Sequence, residues 1–190
     1  MGQMDRGTLH RALRLYLIAD TSLVPGGELL DAVAAAVRGG VSIVQLRAKR
    51  QTAREQLDLA RALASVCHAH AVPFVVNDRV DVALAAGADG VHVGHIGVDD
   101  LPPDDARRML GADAIVGVSV NSGAEAKEAE RRGASYVSGG PMYLTRTKLD
   151  AGEPIGPALI AELRAATTLP VVAIGGIEAR HVRELLDAGA

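Results

Sequence analysis

The sequence predicts an α/β fold of the TIM (β/α)8-barrel type, in one domain over residues 1–190. Three observations lead to this prediction. Short β-branched runs alternate with segments of helical periodicity, glycines stand where helices pass into strands, and no linker or low-complexity stretch divides the chain. A chain of 190 residues that is 48% hydrophobic and 23% charged is long enough to bury the core of such a domain.

Seven apolar runs are candidate strands, because each is short and rich in β-branched residues. In chain order they occupy residues 15–19, 41–46, 72–76, 90–93, 114–118, 134–138 and 170–174. Segments rich in Ala, Leu and charge lie between them with the spacing of amphipathic helices, among them residues 28–40, 53–71 and 124–134. Strands and helices that alternate in this way favour right-handed βαβ units and a parallel sheet.

Two architectures accept this alternation, an open doubly wound sheet and a closed barrel. The glycine-rich dinucleotide fingerprint of the first is absent from the sequence, so the barrel is favoured. A glycine signal also recurs where helices run into strands, at residues 38–44, 86–93 and 131–137. The eighth strand should begin at residues 187–190, where the chain stops. We therefore expect seven βα units and a domain that lacks its last unit, either as a naturally short protein or as a fragment.

Composition and charge exclude several classes of function. A formal net charge of -3 gives no broad basic face for nucleic acid, and no apolar run reaches the roughly 18 residues of a membrane span. The first seven residues have no apolar signal core, so we expect a cytoplasmic protein. The single cysteine, Cys67, excludes an internal disulfide. With His68 and His70 it forms a weak metal motif, and a thiol that packs a helix is the favoured interpretation.

Polar or glycine residues follow five of the candidate strands, at the ends where chemistry collects in barrels of this type. They are Gln45, Arg47 and Lys49; Asn77, Asp78 and Arg79; Ser119 and Asn121; Thr145, Arg146, Thr147 and Lys148; and Gly175 and Gly176. Gln45, Arg47 and Lys49 share parity, which predicts one side of an extended segment. Cations, hydroxyls and glycine amides suit phosphates, and Asp78 is placed to hold a metal against them. An ordinary surface loop, or a chance run of polar strand ends, is the alternative.

Six motifs resemble those of the thiamine-phosphate synthase family, in the same order over almost the whole chain. They are LYLIAD at 15–20, VQLRAK at 44–49, NDRVDVALAAGADGVHVG at 77–94, GVSV at 117–120, GPMYLTRTK at 140–148 and VAIGGI at 172–177. A lone IGGI is common in phosphate-binding barrels, whereas QLRxK, ND and TxTK together are specific to this family. The resemblance implies a transferase of thiamine biosynthesis with a TIM-type barrel and a Mg²⁺ cofactor.

The resemblance also implies the reaction and a role for each matched residue. The family joins a hydroxymethylpyrimidine diphosphate to a hydroxyethylthiazole phosphate, which gives thiamine phosphate and diphosphate. The residues implied to hold the pyrimidine diphosphate are Gln45, Arg47, Lys49, Asn77, Ser119 and Lys148, and the catalytic cations among them are Arg47, Lys49 and Lys148. The residues implied to face the thiazole phosphate are Thr145, Arg146, Thr147, Gly175 and Gly176. Asp78 is implied to bind Mg²⁺.

The second metal ligand of the family has no direct match in this sequence. Counted from Gly94, the position is Gly97, whereas alignment on the following DDLP segment makes it Asp100, with about three residues inserted. We favour Asp100, because an insertion in a loop costs little free energy. Ala48 stands where the family has an acidic residue, and the absent eighth strand would help to hold the thiazole phosphate.

Two other functions stay open. A thiazole tautomerase shares the barrel and several motifs, but that subfamily has a histidine after the fifth strand, where this chain has Asn121. A non-catalytic or truncated phosphate-binding barrel is the other alternative. Small-molecule substrates are the expected partners, a homo-oligomer is left open, and neither nucleic acid nor a membrane is expected.

Overall fold

The computed structural model describes residues 6–24, 26–95, 101–145 and 153–190. Along this part of the chain, strands alternate with helices from β1 to α8. The strands are β1 Tyr16–Asp20, β2 Ile43–Arg47, β3 Phe74–Asn77, β4 Gly90–Val93, β5 Ile115–Ser119, β6 Tyr136–Gly139 and β7 Val171–Ala173. The helices are α1 Arg6–Ala12, α2 Gly26–Arg38, α3 Ala53–His68, α4 Val80–Ala86, α5 Pro103–Leu110, α6 Gly123–Arg131, α7 Ala158–Ala166 and α8 Val182–Asp187. A 3₁₀ turn, Ala179–His181, precedes α8.

The chain forms two compact units. The first combines residues 1–92 with 105–115, and the second combines residues 93–104 with 116–190. Each unit contains parallel strands and the helices that connect them.

In the first unit, β2 pairs with β1 and β3, and β3 pairs with β4, all in parallel. The register places Asp20 opposite Arg47, and Asn77 opposite His92. Because these strands are parallel, their carboxyl ends lie at one edge of the sheet. The polar residues that end β1, β2 and β3 therefore stand at the same edge.

The core of the first unit forms because β2 and β3 are apolar on both faces, as strands between two layers must be. Ile43, Val44, Phe74 and Val75 are fully buried in these strands. Helix α3 packs on them and begins at a capping box, since the Thr52 hydroxyl accepts from the Glu55 amide while the Glu55 carboxylate accepts from the Thr52 amide. Its buried face contains Cys67, as the helix-packing interpretation predicts. Burial, with nearby Asp89, raises the pKa of this thiol to about 11.

In the second unit, β6 pairs with β5 and β7, again in parallel. The register places Ser119 opposite Ser138, and Gly139 opposite Ala173. Helices α6 and α7 pack against each other. The core side chains of this unit include Val118, Tyr136, Met142, Ile160 and Leu163.

The predicted alternation of strands and helices is confirmed, and all seven predicted strands exist. Only β4 has the predicted bounds, because the other strands begin one or two residues later than their apolar runs. Five of them also end one residue later, at Asp20, Arg47, Asn77, Ser119 and Gly139. Backbone hydrogen bonds define a strand, so a polar residue or a glycine that follows an apolar run can still belong to it. The expectation that the domain lacks its last βα unit stays a prediction.

Within the described ranges, no helix combines the length and the apolar character that crossing a bilayer requires.

Candidate functional site

The structure describes nine of the thirteen residues that the sequence assigns to the site. Asp100, Arg146, Thr147 and Lys148 lie outside the described residues. The first unit contains Gln45, Arg47, Lys49, Asn77 and Asp78, and the second contains Ser119, Thr145, Gly175 and Gly176.

The first unit has a cavity of about 260 Å³ at the carboxyl ends of β2 and β3. Three predicted residues line it, Lys49, Asn77 and Asp78. The other lining residues are Leu46, Ala48, Gln56, Val76 and Arg79. The cavity is therefore apolar at its base, where the strands end, and polar where the loops after β2 and β3 begin.

Lys49 and Asp78 form an ion pair in this cavity, with Nζ 3.5 Å from Oδ2. The Lys49 side chain is 53% exposed and that of Asp78 is 24% exposed. The pair therefore gives an incoming anion a cation and gives a metal ion a carboxylate at the same place. The shared-parity prediction is wrong for Lys49, because β2 ends at Arg47 and Lys49 lies in the turn that follows.

Asp78 has a left-handed backbone, with φ of 60°. This conformation costs a residue with a side chain roughly 1–2 kcal/mol, although Asp tolerates it better than most residues do. The amide of Asp78 donates to the carbonyl of His92 at 2.8 Å, which holds the turn against β4. Helix α4 has Arg79 and not Asp78 at its N-cap position.

Arg47 is held by a residue that the sequence analysis did not assign to the site. Its Nη1 lies 2.5 Å from Oδ2 of Asp20, which is 6% exposed at the end of β1. Oδ1 of Asp20 accepts from the amide and the hydroxyl of Ser22, at 2.8 and 2.6 Å. Burial alone would raise the pKa of Asp20, but hydrogen bonds from Ser22 and Arg47 and the charge of Arg47 outweigh it and lower that pKa. Parallel pairing places the two residues opposite each other, a register that only the structure shows.

Gln56 on α3 is a second residue that the sequence analysis missed. Its amide is buried and donates to the carbonyls of Ala48 and Gln51, at 2.9 and 3.0 Å. Its Oε1 accepts from Nη1 of Arg79 at 3.3 Å. Gln56 thus fixes both ends of the turn that contains Lys49 and connects it to the segment after β3.

The predicted site residue Gln45, on β2, donates from Nε2 to the hydroxyl of Tyr16 on β1 at 2.9 Å.

In the second unit, the segment after β6 continues the pairing with the segment after β7. The amide of Met142 donates to the carbonyl of Ile174, and the amide of Tyr143 donates to the carbonyl of Gly175, at 2.9 and 3.0 Å. Gly175 and Gly176 both have positive φ, at 96° and 64°. A Cβ at Gly176 would lie 2.6 Å from the carbonyl oxygen of Tyr143, so only glycine fits this approach of the two backbones.

A second cavity, of about 440 Å³, lies beside this glycine turn. Its lining combines an apolar part with the charged segment after β7, and the residues are Met142, Tyr143, Leu144, Pro154, Gly176, Glu178, Arg180 and His181. The other predicted residues of this unit, Ser119 and Thr145, are half-buried at the end of β5 and in the loop after β6.

The donors around the first cavity suit Mg²⁺. This ion prefers oxygen ligands and is usually held by one or two carboxylates together with substrate phosphates. Asp78 gives such a carboxylate, and the neighbouring Asn77 gives an amide oxygen. Among the residues that the structure describes, no group of three His, Cys, Asp or Glu side chains could hold a metal ion. The described donors therefore fit an ion that a substrate phosphate helps to bind.

Comparison with protein families matches residues 15–190 to the family described as thiamine monophosphate synthase. A thiamine-phosphate synthase of Shouchella clausii is 43% identical over 180 residues, which are 95% of this chain and 85% of that relative. A thiamine-phosphate synthase of Methanosarcina barkeri is 45% identical over 189 residues, with 100% of this chain and 84% of the relative covered.

Among solved structures, the chain is similar to the thiamine phosphate pyrophosphorylase of Pyrococcus furiosus. The TM-score is 0.84 at 37% identity, and the match covers 96% of this chain and 84% of that one. This likeness confirms the predicted TIM-type α/β fold. The chain belongs to the thiamine monophosphate synthase family.

Proposed function

We propose that this enzyme joins 4-amino-2-methyl-5-hydroxymethylpyrimidine diphosphate to 4-methyl-5-(2-hydroxyethyl)thiazole phosphate, with Mg²⁺ as cofactor. Its family membership makes it a transferase of thiamine biosynthesis. The observation that supports the proposed substrates and metal best is the Lys49–Asp78 pair, 3.5 Å apart in the first cavity, because a diphosphate with Mg²⁺ needs a cation and a carboxylate side by side.

The proposed reaction needs no nucleophilic side chain. The bond from the pyrimidine methylene to the diphosphate oxygen breaks, and its electron pair leaves with the diphosphate. The methylene cation is stabilised by resonance with the pyrimidine ring, and the lone pair of the thiazole nitrogen then forms the new C–N bond. Catalysis rests on holding the two substrates in position and on fixed positive charge at the leaving group.

Each predicted residue has a defined task in this proposal. Bound Mg²⁺ would neutralise charge on the diphosphate, held by Asp78 and by Asp100, which is outside the described residues. Arg47, Lys49 and Lys148 would bind the leaving diphosphate. The other residues proposed to hold the pyrimidine diphosphate are Gln45, Asn77 and Ser119. The residues proposed to face the thiazole phosphate are Thr145, Arg146, Thr147, Gly175 and Gly176.

Formation of thiamine phosphate from the two substrates, followed as a function of Mg²⁺ concentration, tests the proposal. Asp78→Asn should lower turnover by roughly 10²-fold and raise the Mg²⁺ concentration needed for half-maximal rate, because it removes one charge from the metal. The fold should survive, since Arg79 and not Asp78 occupies the N-cap position of α4. Asp58→Asn is the matched control, as Asp58 is exposed on α3. Wild-type rate in Asp78→Asn at low Mg²⁺ would exclude the ligand role, and no product with wild-type protein would exclude the proposed reaction.

A further inference from the structure

Three residues with no assigned role form a connected cluster in the second unit. The ring of Tyr143 stacks on the imidazole of His181, with ring centroids 3.8 Å apart and planes inclined by 16°. The hydroxyl of Tyr143 donates to Oε2 of Glu184 at 2.8 Å. Burial and this hydrogen bond raise the pKa of Tyr143, so the hydroxyl keeps the proton that it donates.

The imidazole of His181 is itself held in place. Its Nδ1 accepts from the amide of Glu178 at 3.1 Å, and its Nε2 lies 3.1 Å from Nε of Arg180. A neutral imidazole accepts at one nitrogen only, so the bond from the Glu178 amide, which also caps the 3₁₀ turn, is the one that fixes the ring. The amide of His181 also donates to the carbonyl of Glu178 at 2.9 Å. The ring on which Tyr143 stacks is therefore fixed by the short segment between the glycine turn and α8.

The backbone of Tyr143 contacts the glycine turn directly. Its amide donates to the carbonyl of Gly175, and its carbonyl oxygen would lie 2.6 Å from a Cβ at Gly176. Tyr143 therefore holds the turn through its backbone and holds the segment after the turn through its side chain. Tyr143 contacts both ends of the segment 175–181, through its backbone at Gly175 and through its ring at His181, so these non-covalent contacts close the segment into a loop.

We propose that Tyr143, His181 and Glu184 are positioning residues that brace the Gly175–Gly176 turn for binding of the thiazole phosphate. This inference rests on the proposed function. Glycine has more conformational freedom to lose than any other residue, so a turn with two consecutive glycines is costly to order. A brace that orders the turn before the substrate arrives removes this cost from the binding step.

His181 also belongs to the cap of the 3₁₀ turn, because its side chain and that of Glu178 reach each other's backbone amides. Loss of the imidazole could therefore act through the cap alone. His181→Phe separates the two roles, since it keeps an aromatic ring for Tyr143 and removes both nitrogen contacts. Arg183→Ala is the control on α8, two residues after His181, where the side chain is 87% exposed and pairs with Asp187.

Two measurements on the full chain test the brace in wild type, His181→Ala, His181→Phe and Arg183→Ala. The first is hydrogen exchange of the Gly175 and Gly176 amides by NMR, and the second is the KM for each substrate. In His181→Ala we expect both exchange rates and the KM for the thiazole phosphate to rise roughly three- to tenfold, the range for loss of an aromatic pair. The KM for the pyrimidine diphosphate should change less than twofold. His181→Phe should bring the exchange rates and the KM for the thiazole phosphate most of the way back to the wild-type values, and Arg183→Ala should match wild type.

The brace is wrong if exchange in His181→Ala stays within twofold of wild type, or if His181→Phe behaves like His181→Ala. A positioning role is equally wrong if exchange rises while the KM for the thiazole phosphate does not, or if both KM values rise together. Hydrogen exchange needs no substrate, so it tests whether the contacts with Tyr143 order the glycine turn even if the wild-type protein makes no thiamine phosphate. Absence of thiamine phosphate formation by the wild-type protein would reject the proposed function and leave the brace to be judged by hydrogen exchange.

Discussion

Asp20 holds the guanidinium of Arg47 across neighbouring strands, with Oδ2 2.5 Å from Nη1 and the two residues opposite each other in register. The carboxylate is 6% exposed and has a second set of donors in Ser22. A largely buried charged pair whose carboxylate has further hydrogen-bond donors can hold its members in one direction, although its net contribution to stability is small. We therefore expect Asp20 to act on the site through the direction in which it fixes Arg47.

Asp20→Asn should lower turnover roughly tenfold, because the amide keeps one oxygen acceptor for Ser22 but turns an uncharged NH2 donor towards the guanidinium of Arg47. Asp20→Ala should cost about 3 kcal/mol of unfolding free energy as well, since it leaves a largely buried guanidinium without its partner. Steady-state rates and urea unfolding measure the two effects. Equal turnover in wild type and Asp20→Asn would mean that Arg47 needs no orientation by Asp20.

The lowered pKa of Asp20 predicts the direction of one pH effect on stability. The folded-state pKa lies below the ordinary value of 3.8, so the folded protein binds this proton less readily than the unfolded chain does. The contribution is therefore full above pH 3.8 and is lost as the pH falls below that value towards the folded-state pKa. Glu128, whose pKa the Arg131 and Arg132 hydrogen bonds lower to about 2, gives an effect of the same sign.

Urea unfolding at pH 5 and at pH 3 measures this effect. Wild type should lose more unfolding free energy between the two pH values than Asp20→Asn does, because the variant has no carboxylate to protonate. Glu128→Gln measures how much of the loss of unfolding free energy comes from protonation of Glu128. This part should be small, because solvent screens exposed ion pairs. An equal loss in wild type and Asp20→Asn would show that protonation of Asp20 does not contribute to the acid sensitivity.

The position of the polar residues of the first unit could be predicted from sequence, because they follow apolar runs. Arg47, Asn77 and Asp78 stand where such runs end, and parallel pairing of β2 with β3 brings their carboxyl ends to one edge of the sheet. The left-handed backbone of Asp78 could not be predicted in this way. Asp is common in turns of several types, and the choice among them depends on hydrogen bonds such as that from its amide to His92.

The residues that support the site were harder to predict, because their partners are distant in sequence. Gln56 lies on the buried face of an amphipathic helix, where periodicity predicts an apolar side chain. Its role follows only from its contacts with Ala48, Gln51 and Arg79. The stack of Tyr143 on His181 likewise depends on how the segments after β6 and β7 pack, which no local pattern encodes.

Arg47 and Lys148 are proposed to stabilise the leaving diphosphate, so the alanine variant of either should slow the chemical step. Loss of one preorganised charge contact typically costs about 10²- to 10³-fold in rate. Single-turnover rates with both substrates saturating isolate this step from binding and release. Arg50→Ala is the control, because Arg50 is exposed in the turn after β2. Rates within roughly threefold of wild type in both variants would show that neither cation stabilises the leaving diphosphate.

Gly176→Ala should disturb the site through a steric clash, in addition to the conformational cost of replacing a glycine that has positive φ. Gly176 has a φ of 64°, and a Cβ added there would lie 2.4 and 2.6 Å from the carbonyl oxygens of Leu144 and Tyr143. Gly40 has a φ of 106° and open space around the same position, so Gly40→Ala carries the conformational cost without the clash. The conformational cost is about 1–2 kcal/mol, and the clash at Gly176 adds to it because a backbone carbonyl cannot move away as a side chain end can.

Urea unfolding of Gly176→Ala and Gly40→Ala should therefore give a larger loss of stability for the first variant. The KM for the thiazole phosphate should rise at least tenfold in Gly176→Ala alone, because the turn must separate from Tyr143 to admit the methyl group and its amides then leave their positions. The KM for the pyrimidine diphosphate should stay within twofold in both. If the two variants lose equal stability and keep equal KM values, the close approach of the turn to Tyr143 has no part in substrate binding, and the phosphate must be held by other residues.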